Sequence, residues 1–316
     1  MGMVSDFING IGDWFNDMIQ KVLKQGIKSC FDNIQDILDT TYKSSTKDNG
    51  LINIFLAKHP AQFTGSVGNA SGGYGIWATI ENLCNDVVVP IAGFILTIIL
   101  VSDLITMCIR GNNFKDVDET IIIKWIIKCL CGVLLVSNTY YIASGLFSFG
   151  TNVCANGIST VLNGNLSTTD YSTALYDSLG SYSNGALLIM LLLSFLIMVA
   201  VFLLTVVIVL VMASRMIEVF MYLGVSPIPM ATMMNEGWSS VGKNWIKGVI
   251  ALSFQGFFIV IALAIFKTIF NNVVLSISKA DDGVIMSLLL LAGYSAALIY
   301  TVLRSGSISK SIFNAS

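Results

Sequence analysis

Charge is what this sequence lacks. Only 11% of its 316 residues are Asp, Glu, Lys or Arg, while 55% are hydrophobic and the mean hydropathy is +0.78. A soluble domain carries about 25% charged residues. A surface this poor in charge cannot stay solvated, so much of it must face lipid. The net charge of -2 gives no electrostatic argument for nucleic acid or for an acidic ligand. Histidine occurs once, at His59 beside Pro60, and has no second histidine with which to share a metal. The six cysteines form no CxxC pair and no zinc spacing. Cys129 and Cys131 lie in an apolar run, where a thiol behaves as a small hydrophobe; a disulfide is not expected, and Cys84 and Cys154 are the only exposed candidates for one. No signal-peptide pattern opens the chain, because residues 1–20 are acidic (Asp6, Asp13, Asp17) and amphipathic. No HExxH, GxSxG or phosphate loop occurs, and GIGDW at 10–14 has no strand–helix setting. The sequence therefore assigns no catalytic, cofactor or metal residue, and reads as a protein that is not an enzyme.

Long apolar runs are what it has. Five are long enough to cross a bilayer: 87–107, 126–147, 186–214, 248–266 and 284–303. A 21-residue helix is about 31 Å long, close to one hydrocarbon thickness. The third run is the clearest, with no charge from Ala186 to Ser214. A sixth stretch, 219–235, is apolar but short, and contains Gly224, Pro227 and Pro229. Proline inside a helix removes a hydrogen bond and kinks the chain, and irregular backbone at membrane depth must be buried or line a wet cavity. The stretch reads as a broken or re-entrant element, with a kinked sixth span as the alternative.

The N-terminal segment 1–40 repeats apolar residues every three or four positions, from Val4 through Trp14 and Phe15 to Leu38, with Asp and Lys between. It predicts one amphipathic helix, or two joined near Gly26. Such a helix either packs on the rest of the protein or lies in the membrane interface. Residues 41–86, rich in Ser, Thr, Asn and Gly, read as a polar extracytoplasmic linker, and 150–185 as a long loop. The fold class expected is all-α: a polytopic helical membrane protein with about five transmembrane helices in 87–316.

Lys and Arg gather between runs one and two (Arg110, Lys115, Lys124, Lys128), between three and four (Arg215, Lys243, Lys247), and in the tail (Arg304, Lys310). The 150–185 loop has none. The positive-inside rule then places the chain in the cell membrane with an extracytoplasmic N-terminus and a cytoplasmic C-terminus.

Polar groups at membrane depth mark a pathway or a helix contact. Asp103 reads as an interfacial carboxylate or as a buried partner for Arg215 or Lys128. Arg215 and Glu218, three residues apart, share a helix face and can pair. Gln255 suits a hydrogen bond between helices. The segment GVSPIPMATMMNEGW gathers Pro227, Pro229, Asn235, Glu236 and Trp238, and reads as a packing loop, a constriction or a docking surface.

Arg215–Met216–Ile217–Glu218, then Ser226–Pro227–Ile228–Pro229–Met230–Ala231, then Asn235–Glu236–Gly237–Trp238 resemble the TrbL-like polytopic subunits of type IV secretion systems. These are relatives of the sixth VirB component, in the form found in conjugative elements of Gram-positive bacteria. Val89–Pro90–Ile91–Ala92–Gly93, Leu252–Ser253–Phe254–Gln255–Gly256–Phe257 and the ending from Gly306 to Ala315 are similar too. The resemblance covers about 87–316. It implies a membrane channel subunit for DNA transfer, about five spans and an outside N-terminus. It also implies coupling and assembly ATPases as partners, and single-stranded DNA with its relaxase, or protein, as cargo. The chain departs from a nucleic-acid path in having few basic residues at candidate pore positions; a symmetric homo-oligomer would repeat those few around a ring. A non-conducting scaffold of the same machine and a secondary transporter are the alternatives. A transporter would show two similar halves with matching broken helices, and only one broken element is seen.

Overall fold

The computed structural model describes residues 2–42, 52, 55–56, 59–62, 75–110, 119–161, 171–179, 182–235, 237–277 and 283–315. All regular structure among them is helical. In chain order the helices are α1 (Gly2–Tyr42), α2 (Ile76–Leu83), α3 (Val89–Arg110), α4 (Glu119–Val161), α5 (Tyr171–Ser178), α6 (Asn184–Gly224), α7 (Pro227–Thr232), α8 (Ser239–Ile277) and α9 (Val284–Ile312). A π-helical turn, Cys84–Val88, joins α2 to α3.

Among the described residues five helices are long and apolar enough to cross a membrane: Ile76–Ile109, Ile122–Val161, Asn184–Gly224, Ser239–Ser276 and Val284–Ile312. Each contains one of the five apolar runs. Large apolar side chains stand exposed along them, among them Phe94, Leu130, Leu192, Phe195 and Phe202. Soluble proteins do not carry apolar exposure on this scale; in lipid it costs nothing.

Several boundaries differ from the sequence reading, each for a physical reason. Segment 1–40 is one helix, unbroken at Gly26. A methyl on Gly26 would meet Leu191 Cδ1 at 2.9 Å, so this glycine serves close packing rather than a hinge. Helix begins at Ile76, inside the stretch read as linker. Helix α4 runs to Val161, into the stretch read as loop, because Gly150, Thr151, Cys154 and Ile158 are buried. Cys84 and Cys154, the candidates for exposed thiols, are buried and free. Ends follow local chemistry: Ser183 Oγ accepts from Ala186 N at the start of α6. Helix α9 closes on Asn314, at φ 49°, with Ala315 N donating to Lys310 O.

The chain divides into two compact units. The first comprises 1–52, 157–211 and 259–304. There α1 buries Ile27, Phe31, Ile34 and Leu38, and α6 buries Leu187, Met190, Ile197, Val201 and Leu204. The second comprises 53–156, 212–258 and 305–316. One part of its core is Ala92, Leu96 and Leu100 of α3, Val136 of α4 and Ala231 of α7.

Candidate functional site

The three apolar-polar motifs of α6, α8 and α9 meet in the second unit. Arg215 is 2% exposed. Its Nε donates to Leu252 O at 3.0 Å and its Nη2 to Ser253 O at 3.1 Å. Nη1 is buried with no hydrogen-bond partner among the described residues. No carboxylate of the described residues pairs with it. Main-chain carbonyl dipoles of α8 therefore carry the compensation of this charge, a costly arrangement that only close packing sustains.

Glycines make that packing possible. A methyl on Gly150 of α4 would lie 2.7 Å from Ser253 O, so α4 touches the α8 backbone directly. A methyl on Gly256 would meet Cys154 Sγ at 3.0 Å and Arg215 Cζ at 3.1 Å. Helix α9 closes the third side. Ser309 Oγ donates to Ala251 O, and Gln255 Nε2 donates to Ser305 Oγ at 3.4 Å. The Phe254 ring lies between Phe149 and Phe313, with centroids 6.1 and 5.3 Å away. Residues 249–256 of α8 thus form a polar seam gripped by α4, α6 and α9.

Glu218 is half-buried and, although one turn from Arg215, makes no ion pair with it. The anticipated Arg215–Glu218 pair is replaced by the Arg215–carbonyl contacts. Asp103 pairs instead with Lys128 of α4 at 2.5 Å. Lys128 sits one turn from Trp125, whose Nε1 donates to Leu100 O, so the two helices are tied at two adjacent levels.

The proline-broken stretch is a short helix between two turns. Helix α6 ends at Gly224, and the chain turns at Val225–Ser226 with Ser226 Oγ bonded to Leu223 O at 2.7 Å. Pro227 at N1 loses no helical hydrogen bond. Pro227 and Pro229 are buried, and Thr232 Oγ1 donates to Pro229 O at 2.6 Å. Ile228, Ala231 and Met234 pack against Ala92, Leu96 and Leu100, on the first half of α3 and near the middle of the continuous span Ile76–Ile109. Gly132 and Gly242 admit this approach: a methyl on the first would crowd Leu96 and Met234, and on the second Pro229 O. Asn235 Oδ1 accepts from Gly237 N and shapes the exit turn. Beside it Ile95, Ile98, Ile99, Ser102, Asn235 and Trp238 line a cleft of 170 Å³. Trp238 is 60% exposed. Glu236 lies outside the described residues.

The anticipated residues thus fall into three places. Arg215 and Gln255 belong to the seam, with Glu218 beside it; Pro227, Pro229, Asn235 and Trp238 to the α7 element; Asp103 to its own pair with Lys128. Sequence reasoning gave no role at this site to Gly150 or Ser305, named Cys154 only as an exposed-cysteine candidate, and met Gly256 and Ser309 only inside the resembling segments. Glycine in otherwise apolar helices was the available signal for two of them. Among the described residues no group of His, Cys, Asp and Glu could hold a metal ion. The seam offers helix contacts and held dipoles, not a nucleophile with its base.

Five apolar helices with polar groups turned inward define a multi-pass helical membrane protein. The chain belongs to the family described as TrbL/VirB6 plasmid conjugal transfer like protein, whose model matches residues 56–227. That range takes in α2 through α6 and the first residue of α7. Membership makes the chain a membrane component of a conjugal transfer machine, a family not known for enzymes, with the bilayer and other secretion subunits around it. No curated protein and no solved structure matches the chain.

Proposed function

We propose that this protein is a channel subunit of a type IV secretion machine, helping to move DNA with its relaxase, or protein, across the cytoplasmic membrane. Several copies surround the path, and the 219–238 element lines or plugs it. Coupling and assembly ATPases drive the transfer. The distribution of Lys and Arg supports an extracytoplasmic N-terminus and a cytoplasmic C-terminus.

The observation that carries this reading is the packing of α7. A simple loop between two spans would sit in water. This one is a buried, proline-led helix held against Ala92, Leu96 and Leu100, near the middle of the apolar span Ile76–Ile109, with Ser102 and Asn235 opening into a cleft beside it. Broken helices at membrane depth are tolerated where they are enclosed by protein or border a wet path.

Deleting the gene from its conjugative element and restoring it in trans tests the requirement. Transfer should vanish and return. Trapping the cargo in transit then separates channel from scaffold: an adduct between cargo and this chain supports the channel, and an adduct confined to other subunits supports the scaffold.

A further inference from the structure

Helix α1 presents a contradiction if its outer face is read as lipid-facing. Four contacts fix its register on α6. Asn16 meets Asn184 at 3.3 Å, Gly26 meets Leu191, Asn33 Nδ2 reaches Met198 Sδ at 3.8 Å, and the Thr41 and Thr205 hydroxyls lie 3.2 Å apart. Both residue numbers rise together, so the helices run parallel. Residues 26–41 of α1 therefore lie alongside 191–205 of α6, the middle of its 29-residue uncharged run.

Two opposite faces divide this part of α1. At 100° per residue, Ile27, Cys30, Phe31, Ile34, Leu38 and Thr41 share one face, and all are buried. Gln25, Ser29, Asp32, Asn33, Asp36 and Thr40 share the other, and all are exposed. The exposed face holds no apolar side chain. Across the same depth α6 exposes Leu192, Phe195, Leu196 and Phe202. One side of this layer is dressed for lipid, and the other cannot enter it: carboxylates and amides at such depth face a bundle interior or water.

The continuation of that face toward the N-terminus reverses the usual order. Ile11, Trp14, Phe15, Met18 and Val22 follow it outward, each more than 45% exposed. A helix facing lipid is apolar at membrane depth and polar beyond. This face is polar alongside 191–205 and apolar from the first turns of α6 outward.

We propose that the polar face of α1, from Gln25 to Thr40, lines a water-filled path through the membrane, enclosed by further copies of the chain. This inference rests on the channel reading above and assigns the lining to a helix that lies outside the family match. Beyond the polar stretch, the apolar stripe from Ile11 to Val22 narrows the outer mouth of the path.

Thiol accessibility tests it in membranes carrying the full chain. Ser29→Cys, Asp36→Cys and Thr40→Cys are compared with Leu192→Cys, Phe195→Cys and Phe202→Cys, using a charged thiosulfonate and subtracting the labelling of the native chain. The three α1 thiols should label to completion while the three α6 thiols stay unlabelled. Protection of the α1 thiols would overturn the proposal, because that face would then be covered by protein or lipid. Equal labelling of both sets would also overturn it, by placing both helices in water outside the bilayer. Transfer by each variant is measured in parallel. If the chain is dispensable for transfer the channel reading fails; if transfer requires the chain but α1 is protected, only the lining assignment fails.

Discussion

Arg215 donates its Nε hydrogen to the carbonyl oxygen of Leu252, thirty-seven residues away on another helix, over 3.0 Å. A guanidinium held this way cannot be replaced by a shorter cation. Lysine lacks the planar fork that reaches two successive carbonyls. Arg215→Lys and Arg215→Ala should each lower the stability of the detergent-solubilised protein, Ala by about 2–5 kcal/mol from lost packing and hydrogen bonds. Thermal unfolding followed by thiol labelling of buried Cys154 measures it.

Glu218 gives a sharper contrast. If Arg215 and Glu218 worked as a pair, exchanging their charges would restore what each reversal removes. The carbonyl contacts say otherwise. Arg215→Glu should abolish accumulation of folded protein, and adding Glu218→Arg should not rescue it. Recovery of transfer in the double variant would show that the two residues pair in the assembled machine.

Asp103 and Lys128 should show true coupling. Asp103→Asn and Lys128→Met each leave one polar partner at a half-buried position. Their double-mutant cycle should yield an interaction energy of about 1–3 kcal/mol. Additive effects would mean that the 2.5 Å contact contributes nothing to joining α3 and α4.

These relationships show where the sequence was legible and where it was not. The uncharged run of α6 announced itself, because twenty-nine residues without a charge have few solvents other than lipid. The proline-led break after Gly224 was equally visible, since proline constrains the backbone wherever it sits. The extension of α4 through Gly150–Thr151–Asn152 was hidden. Those residue types favour loops locally, and only contact with Ser253 of α8 makes them helical. Arg215 was legible as a costly residue, but its partners are carbonyls, which every residue possesses and no spacing reveals. Glu218 was the nearer suggestion at three residues' distance, and burial turned the guanidinium away from it.

Gly150 carries a prediction of its own. Any side chain there strikes the Ser253 carbonyl at 2.7 Å, backbone that cannot step aside. Gly150→Ala should destabilise by about 1–3 kcal/mol through overpacking, and Gly150→Leu should separate α4 from α8 outright. A disulfide engineered between the two helices would report it, forming in the native background and failing in Gly150→Leu. Gly145, with open space around it, is the control position and should accept Ala without loss.

His59 should make part of the stability depend on pH. Its Nδ1 accepts a hydrogen bond from Ala61 N at 3.0 Å, its ring rests on Trp77, and burial pushes its pKa below the ordinary histidine value. The folded state prefers the neutral ring. That contribution is therefore present above the unfolded-state value of about 6.5 and is lost as pH falls below it through the lowered folded-state value. His59→Asn keeps an acceptor without the titration. Melting temperatures of the two proteins should diverge between pH 7.5 and neutrality by little, and differ progressively in slope below about pH 6.5. Parallel pH profiles would contradict this.

The most direct test of the channel itself places a photocrosslinking side chain at Trp238, beside the α7 cleft, and another at Leu192, on the lipid-facing side of α6. Cells are irradiated during active transfer. A channel subunit predicts an adduct with the transferred strand or its attached protein at Trp238 and none at Leu192. Cargo captured at neither position, while other subunits of the machine are captured, would contradict the channel and leave the chain as scaffold.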